Sequence, residues 1–236
     1  MRNTFFFDLD GTLLPMDMDT FTRVYFDAVK KSGVFDQISE TQGREIFGKA
    51  VYSMMDNDGS QTNEELFFGN IHEMSGVGRE ALMPHIKRFY ENEFGQLEQH
   101  TRTSKRVGKV IRTLQKKGYR LVLATNPLFP KIATDQRIAW AGLCPGDFEY
   151  ISYYDNSRYC KPCAQYFTEI LDHLGLRADQ CYIVGNDVRD DMSELPLGFE
   201  GFLVLDHVIG DIGKVTECTK GDYSDLLKFA ESLPQI

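Results

Sequence analysis

The sequence predicts an α/β protein built on a doubly wound, three-layer parallel sheet, with a helical segment inserted near its start. Strand candidates alternate with amphipathic helices over residues 105–233, as in parallel sheets. One further strand candidate stands alone at the amino end, before about eighty residues that show only helical periodicity. The length of 236 residues suits one large domain, or a core domain carrying a smaller inserted one.

The first strand candidate, Thr4 to Asp8, is apolar until its last residue and runs into acidic and glycine residues. After Pro15 the pattern changes: Phe21 and Tyr25, for example, share one helical face. We therefore predict a core domain of residues 1–15 and 99–236, with a helical cap of residues 16–98 inserted into it.

The alternation of strands and helices resumes after the inserted segment. An amphipathic helix closed by Gly118 comes first. The next predicted elements are a strand at 119–124, a helix at 129–141, a strand near 148–152, a helix at 163–174, a strand at 181–184, a short helix near Asp190, a strand at 202–205 and a helix at 223–233. Strands separated by helices imply parallel pairing.

Composition and charge limit the classes of partner. The formal net charge of -9 argues against a nucleic-acid or membrane surface, because both require clustered lysine and arginine. No signal-peptide pattern follows Met1, and no apolar run is long enough to span a bilayer. Five cysteines, an odd number, suit free thiols in a reducing compartment. We therefore expect a cytosolic protein that binds neither nucleic acid nor membrane.

The segment Asp8-Leu9-Asp10-Gly11-Thr12 is the strongest chemical signal. Residues two apart in an extended chain face the same way, so both carboxylates could point into one site. Two close carboxylates repel, so a cation or a shared proton is expected beside them. The alternative is a solvated turn, since D-x-D and D-G are common in turns.

Polar residues also follow two later strand candidates. Thr125 and Asn126 follow one, and Asn186 and Asp187 follow the other. Ligands of open parallel sheets gather beyond the carboxyl ends of the strands, so these residues should meet Asp8 and its neighbours. Carboxylate and amide oxygens suit magnesium. Asn186 or Asp187 could equally cap a following helix, and the two roles are compatible.

Lys161 lies in the segment Cys160-Lys161-Pro162-Cys163, before a predicted helix. A cation there could hold a phosphoryl oxygen. The flanking cysteines also read as a redox motif or half of a zinc site. A zinc site would need a second cysteine pair at similar spacing, and the other cysteines are isolated. We favour small, partly buried cysteines around a functional lysine.

Together these segments resemble the four ordered motifs of the haloacid dehalogenase-like hydrolase superfamily. FFFDLDGTLL is similar to its first motif, LVLATN to its second, Lys161-Pro162 to its third and VGNDVRDD to its fourth. The resemblance covers the whole chain. It implies a Rossmann-like core with an inserted cap, here similar to the family's small helical cap, and magnesium as the cofactor.

The resemblance also implies roles for individual residues. Asp8 would be the nucleophile and Asp10 the acid and base. Thr125, Asn126 and Lys161 would bind the phosphoryl group. Magnesium would be held by Asp8, by the backbone carbonyl of Asp10 and by the fourth motif.

The chain departs from the family pattern at Asn186, where the fourth motif usually has Asp. Either Asn186 is a neutral ligand or Asp187 replaces it, with Asp191, rather than Asp190, in the outer position. A dehalogenase of the family needs no acid at the position of Asp10. We therefore expect a hydrolase of a small phosphomonoester, with a phosphomutase or a non-catalytic regulatory or binding protein as alternatives.

Overall fold

A sheet of six parallel strands forms the centre of the computed structural model, which describes residues 1–39, 41–193 and 195–236. The strands are β1 (Thr4–Phe7), β2 (Arg120–Leu123), β3 (Tyr150–Ile151), β4 (Cys181–Gly185), β5 (Glu200–Val204) and β6 (Cys218–Gly221). Their order across the sheet is β3-β2-β1-β4-β5-β6. The chain moves outward from β1 in both directions, so the strand order reverses between β1 and β4. Such a reversal opens a crevice at the carboxyl ends of the two strands.

The three phenylalanines of β1 explain the layers on the two faces of the sheet. Successive side chains of a strand point to opposite faces. Phe5 and Phe7 belong to a core cluster that includes side chains of α6 (Lys105–Lys116) and α9 (Tyr223–Ser232). Phe6 belongs to a second cluster, built with α8 (Ala164–Leu174). Helices therefore cover both faces, and the expected doubly wound, three-layer architecture is confirmed.

Helices fill the chain between β1 and α6. Their apolar side chains join the same connected core cluster as Phe5 and Phe7, and Phe21 and Phe94 contact Trp140. They are α1 (Met18–Lys31), α2 (Val34–Ile38), α3 (Gly43–Met55), α4 (Asn63–Ser75) and α5 (Arg79–Asn92), followed by a 3₁₀ helix over Phe94–His100. No helix in the described ranges has the length and apolar character needed to cross a membrane. The division into a core of 1–15 and 99–236 and a cap of 16–98 stays a prediction.

The structure differs from the sequence analysis in two details, one wrong prediction and one element that was not predicted. The short helix expected near Asp190 is absent, because residues 188–193 form turns. There the Asp187 carboxylate accepts hydrogen bonds from the backbone amides of Arg189 and Asp190, which stabilises a turn. Strand β6 was not predicted, since its sequence CTKG lacks the apolar pattern of a buried strand. It lies at the edge of the sheet, where polar residues are tolerated.

A polar link holds the carboxyl ends of β1 and β4 together. Buried Asn186 accepts a hydrogen bond from the Thr12 hydroxyl at 2.8 Å and donates one to the His207 carbonyl at 2.6 Å. Gly11 passes directly over this amide, with φ at 84°. A Cβ there would lie 2.4 Å from the Asn186 nitrogen, so the turn requires glycine. Asn186 therefore crosslinks the turn after β1 to the segment after β5.

We predict that Asn186→Asp lowers the stability of the protein, although aspartate is the usual family residue at this position. The substitution replaces the donor to the His207 carbonyl with a carboxylate oxygen. Losing that buried hydrogen bond should cost about 1–3 kcal/mol of unfolding free energy. Urea unfolding with a metal chelator present measures the change.

Asn92→Asp is the control, because Asn92 is exposed and its amide also bonds a carbonyl. Its unfolding free energy should change by less than about 0.5 kcal/mol. Unchanged stability of Asn186→Asp, together with tighter magnesium binding, would contradict the structural role and favour Asn186 as a metal ligand.

Candidate active site

The residues singled out in the sequence meet beyond the carboxyl ends of β1, β2 and β4. Asp8 directly follows β1, and its amide donates to the Val184 carbonyl at 2.9 Å. Lys161 reaches Asp8 from the loop before α8. Asp191 reaches Lys161 from the turn after β4. Residues 8, 161 and 191 are distant in the chain, and the parallel topology brings them together.

Lys161 lies between two carboxylates. Its Nζ is 2.9 Å from Asp8 Oδ1 and 2.6 Å from Asp191 Oδ1. The lysine side chain is 2% exposed, so water cannot replace either contact. The second Asp191 oxygen accepts the Asp187 amide at 3.0 Å. Lys161 therefore fixes the position of Asp8 relative to the turn after β4.

The charges of this triad depend on one another. Burial opposes the charge on Lys161, but Asp191 and Asp8 outweigh it and raise the pKa of the ammonium above its ordinary value. Burial raises the pKa of Asp191 above its ordinary value, against the opposing effect of Lys161 and with a further contribution from Asp8. Lys161 is thus firmly charged, whereas the surroundings of Asp191 disfavour its negative charge.

Asp10 is paired with a residue that the sequence analysis did not select. Its Oδ2 contacts Nη1 of Arg137, which lies on α7 (Lys131–Trp140) and is fully buried. Oδ1 of Asp10 is also buried but has no hydrogen-bond partner within the described residues. Burial raises the pKa of Asp10, Arg137 opposes the rise, and Asp8 adds to it.

A signal for Arg137 was present in the sequence. On α7 it lies on the buried face with Ala133 and Trp140, at positions four before it and three after it. Arginine is almost never fully buried unless it is paired. A charged residue on the apolar face of a predicted helix therefore indicates an acidic partner inside the protein, although it does not identify which one.

Thr125 and Asn126 lie at the end of β2 as expected. The Thr125 carbonyl accepts a hydrogen bond from Tyr166 at 2.8 Å. Its hydroxyl makes no hydrogen bond to the described part of the chain, so it is free to bind a ligand. The Asn126 side chain accepts from the Lys161 amide at 3.2 Å, which ties the second motif to the third. Asn126 thus helps to fix the backbone conformation of the loop that carries Lys161.

The side chains of the fourth motif differ in whether they have an oxygen atom that is free of hydrogen bonds and could bind a metal. Both polar atoms of the Asn186 side chain are already bonded, and so are both oxygens of Asp191. Asp187 is half-buried and uses Oδ1 to accept two backbone amides. Its Oδ2 has no partner among the described residues. Among Asn186, Asp187 and Asp191, Asp187 is therefore the best placed to offer an oxygen.

The site fits a magnesium ion. In the described ranges, no three acidic, histidine or cysteine side chains converge as a metal cluster. Magnesium does not require one, because it takes one or two carboxylates and keeps several waters. Asp8, Asp10 and Asp191 are three carboxyl groups beside two cations, Lys161 and Arg137, so the site carries more negative charge than the cations balance when all three are ionised. A hard cation beside Asp8 would reduce this excess.

The cysteines beside Lys161 lack the features of a reactive pair. Cys160 is buried, and burial raises the pKa of its thiol to about 12. Metal binding and disulfide exchange both require the thiolate. The Cys160 sulfur instead accepts a hydrogen bond at 3.4 Å from the side-chain amide of Asn63, the first residue of α4. All five cysteines of the chain are free.

Comparisons with known proteins agree with the fold. Among solved structures, a 2-haloacid dehalogenase from Pseudomonas syringae is 17% identical, with a TM-score of 0.66 and 97% of each chain covered. A HAD phosphatase from Thermococcus onnurineus is 15% identical, with a TM-score of 0.63 and all of both chains covered. A HAD hydrolase from Bacillus subtilis, in a structure described as bound to magnesium, is 15% identical, with a TM-score of 0.56 and 97% and 98% covered. At these identities the likeness shows the fold.

No curated protein sequence matches the chain. A family model described as haloacid dehalogenase-like hydrolase matches residues 3–195, which include Asp8, Lys161 and Asp191. This match spans most of the sequence and all four motifs, and the chain therefore belongs to the haloacid dehalogenase-like hydrolases.

Proposed function

We propose that the protein is a magnesium-dependent hydrolase of small phosphomonoesters that works through an aspartyl-phosphate on Asp8. The observation that carries this proposal is the position of Asp10. Its carboxylate lies close enough to Asp8 for the two charges to interact, and its Oδ1 is buried without a partner. An acid in this place can donate a proton to a leaving oxygen.

Asp10 also favours a phosphatase over a dehalogenase, although both kinds of enzyme share the fold. Displacement of a halide needs no proton donor, because halides leave as anions. Hydrolysis of an alkyl phosphate releases a much more basic oxygen and gains from protonation. A buried carboxyl group beside the nucleophile therefore fits an ester substrate.

The proposed reaction has two steps. An Asp8 oxygen attacks phosphorus, and the bond between phosphorus and the ester oxygen breaks as Asp10 gives that oxygen a proton. Ionised Asp10 then takes a proton from water, whose oxygen attacks phosphorus and releases phosphate from Asp8. Lys161 and the free Thr125 hydroxyl would bind the phosphoryl oxygens through both steps.

The groups that would hold magnesium are Asp8, the Asp10 backbone carbonyl and Asp187. Asp191 would not contact the ion, but it would fix the position of Asp187 by accepting a hydrogen bond from its backbone amide. The ion would compensate the negative charge that the phosphoryl oxygens bring to an already acidic site. We also propose a small phosphorylated partner rather than nucleic acid or a membrane. A cytosolic location stays a prediction from the sequence.

We predict that the protein releases phosphate from small phosphomonoesters only when magnesium is present, and that Asp8→Asn abolishes this activity. The amide of asparagine cannot form the acyl-phosphate bond. Phosphate release from a panel of sugar, aryl and carboxylic-acid phosphomonoesters, with and without chelator, measures both effects.

Asp27→Asn is the matched control, since Asp27 is an exposed aspartate on α1, and its activity should equal that of the wild type. Metal-independent turnover, or an active Asp8→Asn variant, would contradict the mechanism. Transfer of phosphate within a sugar without release would indicate a phosphomutase. Turnover of no ester, combined with weak magnesium binding, would favour a non-catalytic binding protein.

We further predict that Asp187→Asn weakens magnesium binding and that Asp190→Asn does so much less. Asp187 has a free carboxylate oxygen in the turn after β4, and Asp190, three residues further on, is the fourth-motif aspartate that the sequence analysis did not favour as a ligand. Loss of even a supporting group at a metal site costs roughly 10–100-fold in affinity, so Asp187→Asn should raise the half-saturating magnesium concentration at least ~10-fold. Titration calorimetry measures it directly, and equal effects of the two variants would contradict the assignment.

A further inference from the structure

Arg137 is the most deeply buried charged side chain near the site, and several contacts fix its position. It is 0% exposed. Its Nη2 donates to the Thr134 hydroxyl at 3.1 Å, and its guanidinium lies 4.3 Å from the centre of the Phe129 ring. Both neighbours belong to α7 or the residues just before it. The guanidinium is therefore held by α7 independently of Asp10.

This fixed cation breaks the symmetry of the Asp10 carboxylate. A carboxylate has two equivalent oxygens and turns easily about its last side-chain bond. The contact with Arg137 takes one oxygen, Oδ2, out of use. The other, Oδ1, is buried and has no partner in the described part of the chain. One oxygen is thus held in place, while the other is enclosed and has no hydrogen bond among the described residues.

We propose that Arg137 is a positioning residue that orients Asp10, so that Oδ1 carries the proton to and from the reacting oxygens. This inference rests on the proposed phosphohydrolase function and assigns Arg137 no contact with the substrate. A planar guanidinium held at two further points fixes a carboxylate more firmly than a flexible ammonium does. Lysine at this position should therefore support the function only in part.

The proton from Asp10 matters most when the leaving oxygen is basic, which provides a specific readout. Phenyl phosphate and p-nitrophenyl phosphate are similar in size, but phenolate is the much more basic leaving group. The experiment compares kcat/KM for the two esters, because this constant covers the steps up to departure of the alcohol. A general acid typically contributes about 10²–10⁴-fold.

We predict that Arg137→Met lowers kcat/KM for phenyl phosphate on the order of 100-fold and lowers it much less for p-nitrophenyl phosphate. Arg137→Lys should lie between the wild type and Arg137→Met. In an Asp10→Asn background, Arg137→Met should leave the ratio between the two esters unchanged, because Arg137 acts through Asp10. Arg106→Met, which alters an exposed arginine of α6, should not change the ratio in the wild type.

Equal losses for the two esters would overturn the proposal, because a purely structural role lowers activity without regard to the leaving group. So would a change of the ratio in the Asp10→Asn background. If Arg137→Met does not fold, Arg137→Lys provides the test: a larger loss of kcat/KM for phenyl phosphate than for p-nitrophenyl phosphate supports the proposal, and equal losses overturn it. Failure of the underlying function looks different: the wild type would then hydrolyse neither ester, or Asp8→Asn would remain active.

Discussion

A buried ammonium between two carboxylates is the constraint on which the rest of the site depends. Removing an ion from water costs several kcal/mol even after the protein relaxes, and only close opposite charges compensate for it. Lys161 meets this condition with Asp8 on one side and Asp191 on the other. The turn after β4 and the loop before α8 must therefore keep their positions relative to β1. A displacement of either would leave a charge buried alone.

The acidic residues around Lys161 are all aspartates, but each has different surroundings. Asp8 keeps contact with Lys161 and remains partly open to solvent, whereas Asp191 is enclosed and supports its neighbour's backbone. Asp10 pairs with Arg137, and Asp187 uses one carboxylate oxygen to accept the backbone hydrogen bonds of a turn. The hydrogen bonds and the burial of each aspartate, rather than its residue type, thus determine its role in the site. The environment also explains why Asn186 can stand where relatives carry an acid: its side chain joins two segments and requires a donor.

The sequence predicted the sheet and the place of the site because both depend on local patterns. Three successive phenylalanines indicate a strand buried on both faces, and polar residues at strand ends indicate the edge where ligands gather. Arg137 escaped selection because its place on the buried face of α7 indicates an acidic partner without identifying it, and that partner, Asp10, is 127 positions away. The turns after Asp187 were misread as a helix because the same side chain can cap either structure. Strand β6 was missed because an edge strand does not need an apolar sequence.

The central position of β1 has a consequence for the synthesis of the chain. This strand leaves the ribosome before its partners β2 and β4, which begin at residues 120 and 181. Asp8 likewise precedes its cation by 153 residues. Until those segments emerge, an apolar strand with two unpaired edges and an uncompensated acidic end is exposed together with the nascent helices that follow it. The helical segment 18–92 is thus made while the strand still lacks its neighbours, and its amphipathic faces are available to cover the phenylalanines before β2 and β4 emerge.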